Sequence, residues 1–252
     1  MFTIRNCQGA PRRAGARSRL AGGFTLVELL VVTATIAALI SMVLPSLAHA
    51  RRTAVRTRCL ASIRQIAIAQ VAYAVDQEDR LIAAGDGTDQ GSWLGPLQKY
   101  GATPQVRKCP ADRSMYFAQP IPGTSPPRRR TTSFGLNNYV SPTHAPFGIK
   151  PLTRLTQIRR SAAVIQLAEL AESGTYAGSD HVHVQDFYLT VAPQITIALI
   201  NKQMPLGRHG GKPESWEAVL NFGFLDGHAE SAAIRQVYTN PTVNRFNPSP
   251  TQ

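Results

Sequence analysis

One run, "GGFTLVELLVVTATIAALISMVLPSLAHARR" (residues 22–52), limits what this chain can fold into more than any other stretch. From Phe24 to Ala48 it is almost wholly apolar, and Glu28 is its one charged side chain. Crossing a ~30 Å hydrocarbon core takes about 20 helical residues, so the run is long enough to span a membrane. Glu28 is the exception that needs a reason. A carboxylate near the start of a membrane segment costs about 3 kcal/mol if it stays unpaired. Either Glu28 sits at the interface, or a cation meets it inside the lipid.

The residues before the run read as a targeting segment rather than as fold. Residues 1–23 hold Arg5, Arg12, Arg13, Arg17 and Arg19 and no acid. The whole chain carries 27 Lys and Arg against 15 Asp and Glu, a formal +12, and without the leader the balance is 22 against 15, or +7. The basic character is thus partly a property of the extension, which weakens a nucleic-acid reading based on charge. A secretory signal ends its apolar region in a small-x-small cleavage site, whereas here Gly22 and Gly23 come before the apolar run. A cut there would remove the leader and leave the hydrophobic helix on the mature protein. An uncleaved signal anchor is the alternative. Arg51, Arg52, Arg56 and Arg58 follow the span, so the positive-inside rule favours a cytoplasmic leader only slightly.

Gly23-Phe24-Thr25-Leu26-Val27-Glu28 followed by a bulky apolar run resembles the prepilin-type cleavage and methylation motif of type IV pilins and type II secretion pseudopilins. Gly22 stands where such proteins usually carry Lys or Arg. The resemblance implies cleavage after Gly23 by a prepilin peptidase and N-methylation of Phe24. It also supplies the missing cation: Glu28 would neutralise the new α-amine of Phe24 on a neighbouring subunit.

Beyond Pro45, which should bend the helix locally, "RRTAVRTRCLASIRQIAIAQVAYAVDQEDR" keeps helical period. Val55, Cys59, Leu60, Ile63, Ile66, Ala67, Val71 and Ala74 share one face, and Arg58, Ala61, Gln65 and Ala72 lie opposite. One helix over residues 24–79 would be about 80 Å long. The arginines at 51–64 read as a solvated or headgroup face. The expected organisation is a leader (1–23), a membrane or filament-core helix (24–48), its amphipathic continuation (49–80), an α+β globular head (81–240) and a flexible tail (241–252).

The head begins in turn-rich, proline-rich sequence. Its Cys-Pro segment around Cys109, "TSFGLNNYV" and the helix from Cys59 resemble segments of a large pilin-like family from Planctomycetes and related bacteria, with Ser62 where that family's Asn usually stands. In the C-terminal half, "SAAVIQLAEL", "HVHVQDFYLTV" and "QITIALI" read as strands. "EAVLNFGFLDGHAESAAI" reads as a hairpin with Asp226-Gly227 in a type I′ turn. That segment resembles the family's processing-associated motif, a His followed by Asp-Gly. Here His209 and Asp226-Gly227 are sixteen residues apart where nine is usual, and "KPESWEA" looks like the insertion.

The chain holds Cys7, Cys59 and Cys109, too few for a disulfide-dense scaffold. Once the leader is inside, Cys59 and Cys109 would lie in an oxidising compartment and could pair; two buried free thiols are the alternative. For chemistry, His181-x-His183 could clamp a zinc ion from one strand face. No HExxH, cysteine pair, calcium loop, catalytic triad or nucleotide fingerprint accompanies it, so neither an enzyme, a metal nor a cofactor is expected.

The resulting expectation is an α+β pilin-like fold, a long N-terminal helix packed on a small antiparallel sheet. Its work would be that of a structural subunit in a type II secretion-like or type IV pilus-like filament. Its partners would be the prepilin peptidase/methyltransferase, other pilin-like subunits, an inner-membrane assembly platform and lipid. It would sit in the inner membrane as a single pass, with the head in the periplasm or outside. Two alternatives stay open. One is a single-pass surface protein with a ligand- or metal-binding head. The other is a DNA-uptake pseudopilin in which Arg128, Arg129 and Arg130 meet phosphates.

Overall fold

The computed structural model describes residues 23–85, 93–146, 148–188 and 192–248. Cys7, the leader up to residue 22 and the tail end at 249–252 lie outside the described residues. The chain divides into two compact units, the first ending at Ala48 and the second beginning at His49.

Helix α1 covers Leu26–Asp76 and continues through Pro45. Its start is fixed by a reciprocal cap of the Thr-x-x-Glu type. The Glu28 N–H donates to Thr25 Oγ1 at 3.2 Å, and Glu28 Oε2 accepts from the Thr25 N–H and hydroxyl, each at 2.8 Å. Within the first unit the apolar side chains stay exposed, Leu26 at 78% and Met42 at 74%. This is the one described helix long and apolar enough to cross a membrane, with a mean hydropathy of 2.4 over its most apolar window.

In the second unit the same helix turns amphipathic. Cys59, Ser62, Ile63, Ile66, Ala67, Ala69, Gln70 and Ala74 are buried, while Arg58, Ala61 and Gln65 face solvent. The expected face was right at Cys59, Ile63, Ile66, Ala67 and Ala74, and it omitted Ser62, Ala69 and Gln70. Helix α1 ends where Glu78 and Asp79 take positive φ, with the Asp79 N–H donating to the Ala74 carbonyl at 2.7 Å.

The sheet has five strands: β1 (Phe134–Asn137), β2 (Ile165–Glu169), β3 (His181–Val182), β4 (Val219–Phe224) and β5 (Ala229–Ala233), in spatial order β3-β1-β2-β4-β5. It is mixed rather than antiparallel, because β3 pairs parallel to β1, with Leu136 opposite His181. The other pairings are antiparallel. β4 alternates as a two-faced strand should. Leu220, Phe222 and Phe224 point into a core shared with Phe187, Tyr238 and Phe246. Burying one such aromatic contributes about 1.5–3 kcal/mol. Gly223, on the opposite face, lets the helix come close. A Cβ there would lie 3.2 Å from Leu167 Cβ and 3.3 Å from Ala67 Cβ. Cys59, Ile63, Ile66 and Ala67 fill the second core with Trp93, Leu97, Phe134 and Leu167.

Three local expectations are corrected. "QITIALI" lies inside helix α2 (Pro193–Gln203), where Pro193 opens the first turn and Thr196, Ile200 and Gln203 form the buried stripe. Among its described residues "HVHVQDFYLTV" is a strand only at His181–Val182 and then coils into a 3₁₀ segment, Val184–Tyr188; residues 189–191 lie outside the described residues. The β4–β5 connection is a three-residue loop rather than a type I′ turn. The Phe224 N–H donates to the His228 carbonyl at 2.9 Å and the Gly227 N–H to the Phe224 carbonyl at 3.0 Å, and of the Asp-Gly pair only Gly227 has positive φ (92°). That matches a turn followed by a left-handed residue. The head also reaches past residue 240: Phe246 is fully buried, and its carbonyl accepts from Asn137 Nδ2 at 2.6 Å.

Candidate functional site

Gly23 and Phe24 precede the helix, and Phe24 is 77% exposed. Glu28 is one turn in, and its carboxylate is held by Thr25 as described. The acid singled out by the sequence therefore already has a local role as a cap, within a single chain. The cap engages Glu28 Oε2, and no cation among the described residues pairs with the carboxylate.

In the second unit, four segments far apart in sequence bring together Cys59 of α1, Cys109 of the Cys-Pro segment, Glu169 at the end of β2, and His209 before β4. Their ligand atoms all lie within 4.8 Å of one another, and all four residues are buried. Cys59 Sγ is 3.2 Å from Glu169 Oε1, His209 Nε2 is 2.8 Å from the same oxygen, and Cys109 Sγ is 3.6 Å from His209 Nε2. Of the two arrangements the sequence leaves open, a bridge or two buried free thiols, the structure has the second. Three of these residues were legible one by one. Glu169 was missed, although an acid closing the apolar run "AAVIQLAEL" was the signal available.

The electrostatics of the cluster follow from its burial and its partners. Burial alone would raise the Glu169 carboxyl, but the hydrogen bond from His209 and the charge of Arg208 outweigh it and hold it at about 2. Burial likewise disfavours charge on His209, yet bonding to Cys109 and Glu169 lifts it to about 9. The hydrogen bond from Cys59, helped by His209, brings the Cys109 thiol down to about 6 against the opposing effect of burial. Burial pushes the Cys59 thiol up.

Next to this cluster lies a second buried network. Arg130 pairs with Asp112 at 2.8 Å, and both side chains are fully shut off from solvent. Its guanidinium also donates to the carbonyls of Leu170, Ala171, Thr132 and Ala177. Arg208 bridges the two networks, 3.4 Å from Glu169, 3.6 Å from Asp112 and 3.1 Å from Glu172. Of the arginines considered for phosphate contact, Arg129 is exposed and Arg128 partly so, whereas Arg130 is a core residue.

The rings of His181 and His183 lie tilted at 47° to one another with centroids 4.3 Å apart, and His181 Nδ1 is taken by Asp180 Oδ1 at 2.6 Å. Asp226, the other half of the supposed C-terminal motif, bonds His228 at the hairpin turn, while Gly227 packs near Ile68 and Val71 of α1. Asp226 is not among the residues that gather around His209. No protein-family model, curated protein or solved structure matches the chain.

Proposed function

We propose that the chain is a structural, pilin-like subunit, cleaved after Gly23, methylated at Phe24 and assembled through its N-terminal helix into a secretion- or pilus-type filament. The observation that carries this reading is the stretch Phe24–Leu47. It is helical from Leu26, and its large apolar side chains are exposed. An exposed apolar face of that length needs lipid or like helices around it. The motif at Gly23–Glu28, which runs into the first turn of this helix, favours processing and polymerisation over a permanent signal anchor.

In this reading the helix rests in the inner membrane before assembly, and the unit from His49 onward lies in the periplasm or beyond it. The peptidase, neighbouring subunits and an assembly platform are its partners. Mass spectrometry of the membrane-extracted protein tests the first step. The expected mature terminus is N-methylated Phe24, and a chain still beginning at Met1 in cells that contain the peptidase would overturn the proposal.

A further inference from the structure

We propose that Cys59, Cys109, Glu169 and His209 form a closed binding site for a transition-metal dication of the zinc class. The proposal is independent of whether the chain polymerises. The donor set is two sulfurs, one imidazole nitrogen and one carboxylate oxygen, a mixture that suits zinc-like ions and not calcium or magnesium, which take oxygen ligands. The donor atoms are already gathered within 4.8 Å. Metal–ligand bonds of roughly 2.0–2.3 Å in a tetrahedron put neighbouring ligand atoms about 3.3–3.8 Å apart. The separation of 3.6 Å from Cys109 to His209 already has that spacing, and those of 3.2 Å from Cys59 to Glu169 and 2.8 Å from His209 to Glu169 need a small expansion to reach it.

Hydrogen bonding alone serves these atoms poorly. His209 Nε2 faces both the Cys109 sulfur and Glu169 Oε1. A single N–H cannot point well at two acceptors at once, whereas a cation at the centre would take the nitrogen lone pair, both sulfurs and the oxygen together. Support from outside the ligand set is also present. Glu169 Oε2 accepts from the Asn221 N–H at 3.1 Å, which turns Oε1 toward the cluster. Charge closes as well. Across the two joined networks, two thiolates, Glu169 and Asp112 would meet the dication, Arg130 and Arg208, four charges against four, with the partly exposed Glu172 outside the buried sum. Binding would release the thiol protons to solvent and involves no change of oxidation state. With four protein ligands and no open position, the ion would be structural, tying α1, the Cys-Pro segment, β2 and the approach to β4 at one point.

The test uses the full-length chain in detergent, with Cys7→Ser to remove the leader thiol, kept reduced and stripped with chelator. Cobalt(II) alone is then added. The expected result is one ion per chain, with thiolate-to-cobalt charge-transfer absorption, intense tetrahedral visible bands, and loss of both when zinc is added. Cys59→Ser or His209→Ala should weaken zinc binding by more than about a hundredfold, beyond the ~10–100-fold typical of losing an outer partner. His181→Ala should leave binding unchanged. Absence of the thiolate bands in the unsubstituted site would overturn the proposal without reference to any variant that fails to fold. So would a Cys59–Cys109 disulfide in protein isolated without reductant. Neither result bears on the processing at Gly23.

Discussion

Arg130 and Asp112 form an ion pair at 2.8 Å with no solvent access to either side chain. The pair sits under the strand ends rather than on the surface. Four backbone carbonyls depend on the same guanidinium. Removing Arg130 leaves the buried Asp112 carboxylate only its longer contact with Arg208, at 3.6 Å, which costs about 3 kcal/mol. Arg130→Ala should therefore destabilise the second unit by roughly that amount in denaturant titrations. Arg130→Lys should rescue only part of it, since an ammonium lacks the planar fork that reaches several acceptors. A change within about 0.5 kcal/mol for Arg130→Ala would mean the pair is open to water.

Glu28 can be tested for its charge apart from its cap. Glutamine serves in a capping box nearly as well as glutamate, so Glu28→Gln should preserve the helix start at Leu26 and membrane insertion. Pairing with a cationic amine in low dielectric needs the charge, so filament incorporation should fall sharply in Glu28→Gln and equally in Glu28→Leu. Cross-linking between N-termini of neighbouring subunits is the readout. Wild-type incorporation of the Gln variant would reduce the acid to a local cap and favour the single-pass anchor.

His183 gives a pH dependence with a defined sign. The residue is half-buried, and its Nδ1 has no hydrogen-bond partner among the described residues. Burial, then the charges of His181 and His144, lower its pKa from the ordinary 6.5, against the opposing pull of Asp186 and Asp180. Between the lowered folded value and 6.5 the unfolded chain binds more protons, so stability falls as pH drops through that window and levels off once the folded ring is protonated too. His183→Phe should flatten this part of the profile. Parallel thermal-unfolding profiles for the two proteins below pH 6.5 would assign the dependence to other groups.

Much of the helical half was legible, because a 3.6-residue period and an apolar run are local signals. The reading of 24–79 as one helix agrees with Leu26–Asp76, and the β4–β5 hairpin was placed around the right Asp-Gly. What failed depended on distant partners. The parallel pairing of β3 with β1 has no local signature, since His181 and Leu136 are brought together by the fold alone. "QITIALI" looked like a strand because Ile and Thr are β-branched, yet Pro193 and the buried spacing Thr196, Ile200 and Gln203 specify a helix. The four-residue cluster was illegible for the same reason. Its members come from four separate segments, and only Cys59 and Cys109 had been considered together.

Arg208 and His209 are consecutive, and between them they serve Asp112, Glu169, Glu172 and Cys109. This adjacency couples two buried charge networks to one short stretch late in the sequence. Without residues 208 and 209 in place, closing the head would strand Asp112 with half its countercharge and Glu169 with none of its charged partners, at a cost of several kcal/mol. The segments that carry Asp112 and Glu169 therefore cannot be packed dry at low cost on their own. A chain cut short before residue 208 would have every strand up to β3 and still lack the means to close its core.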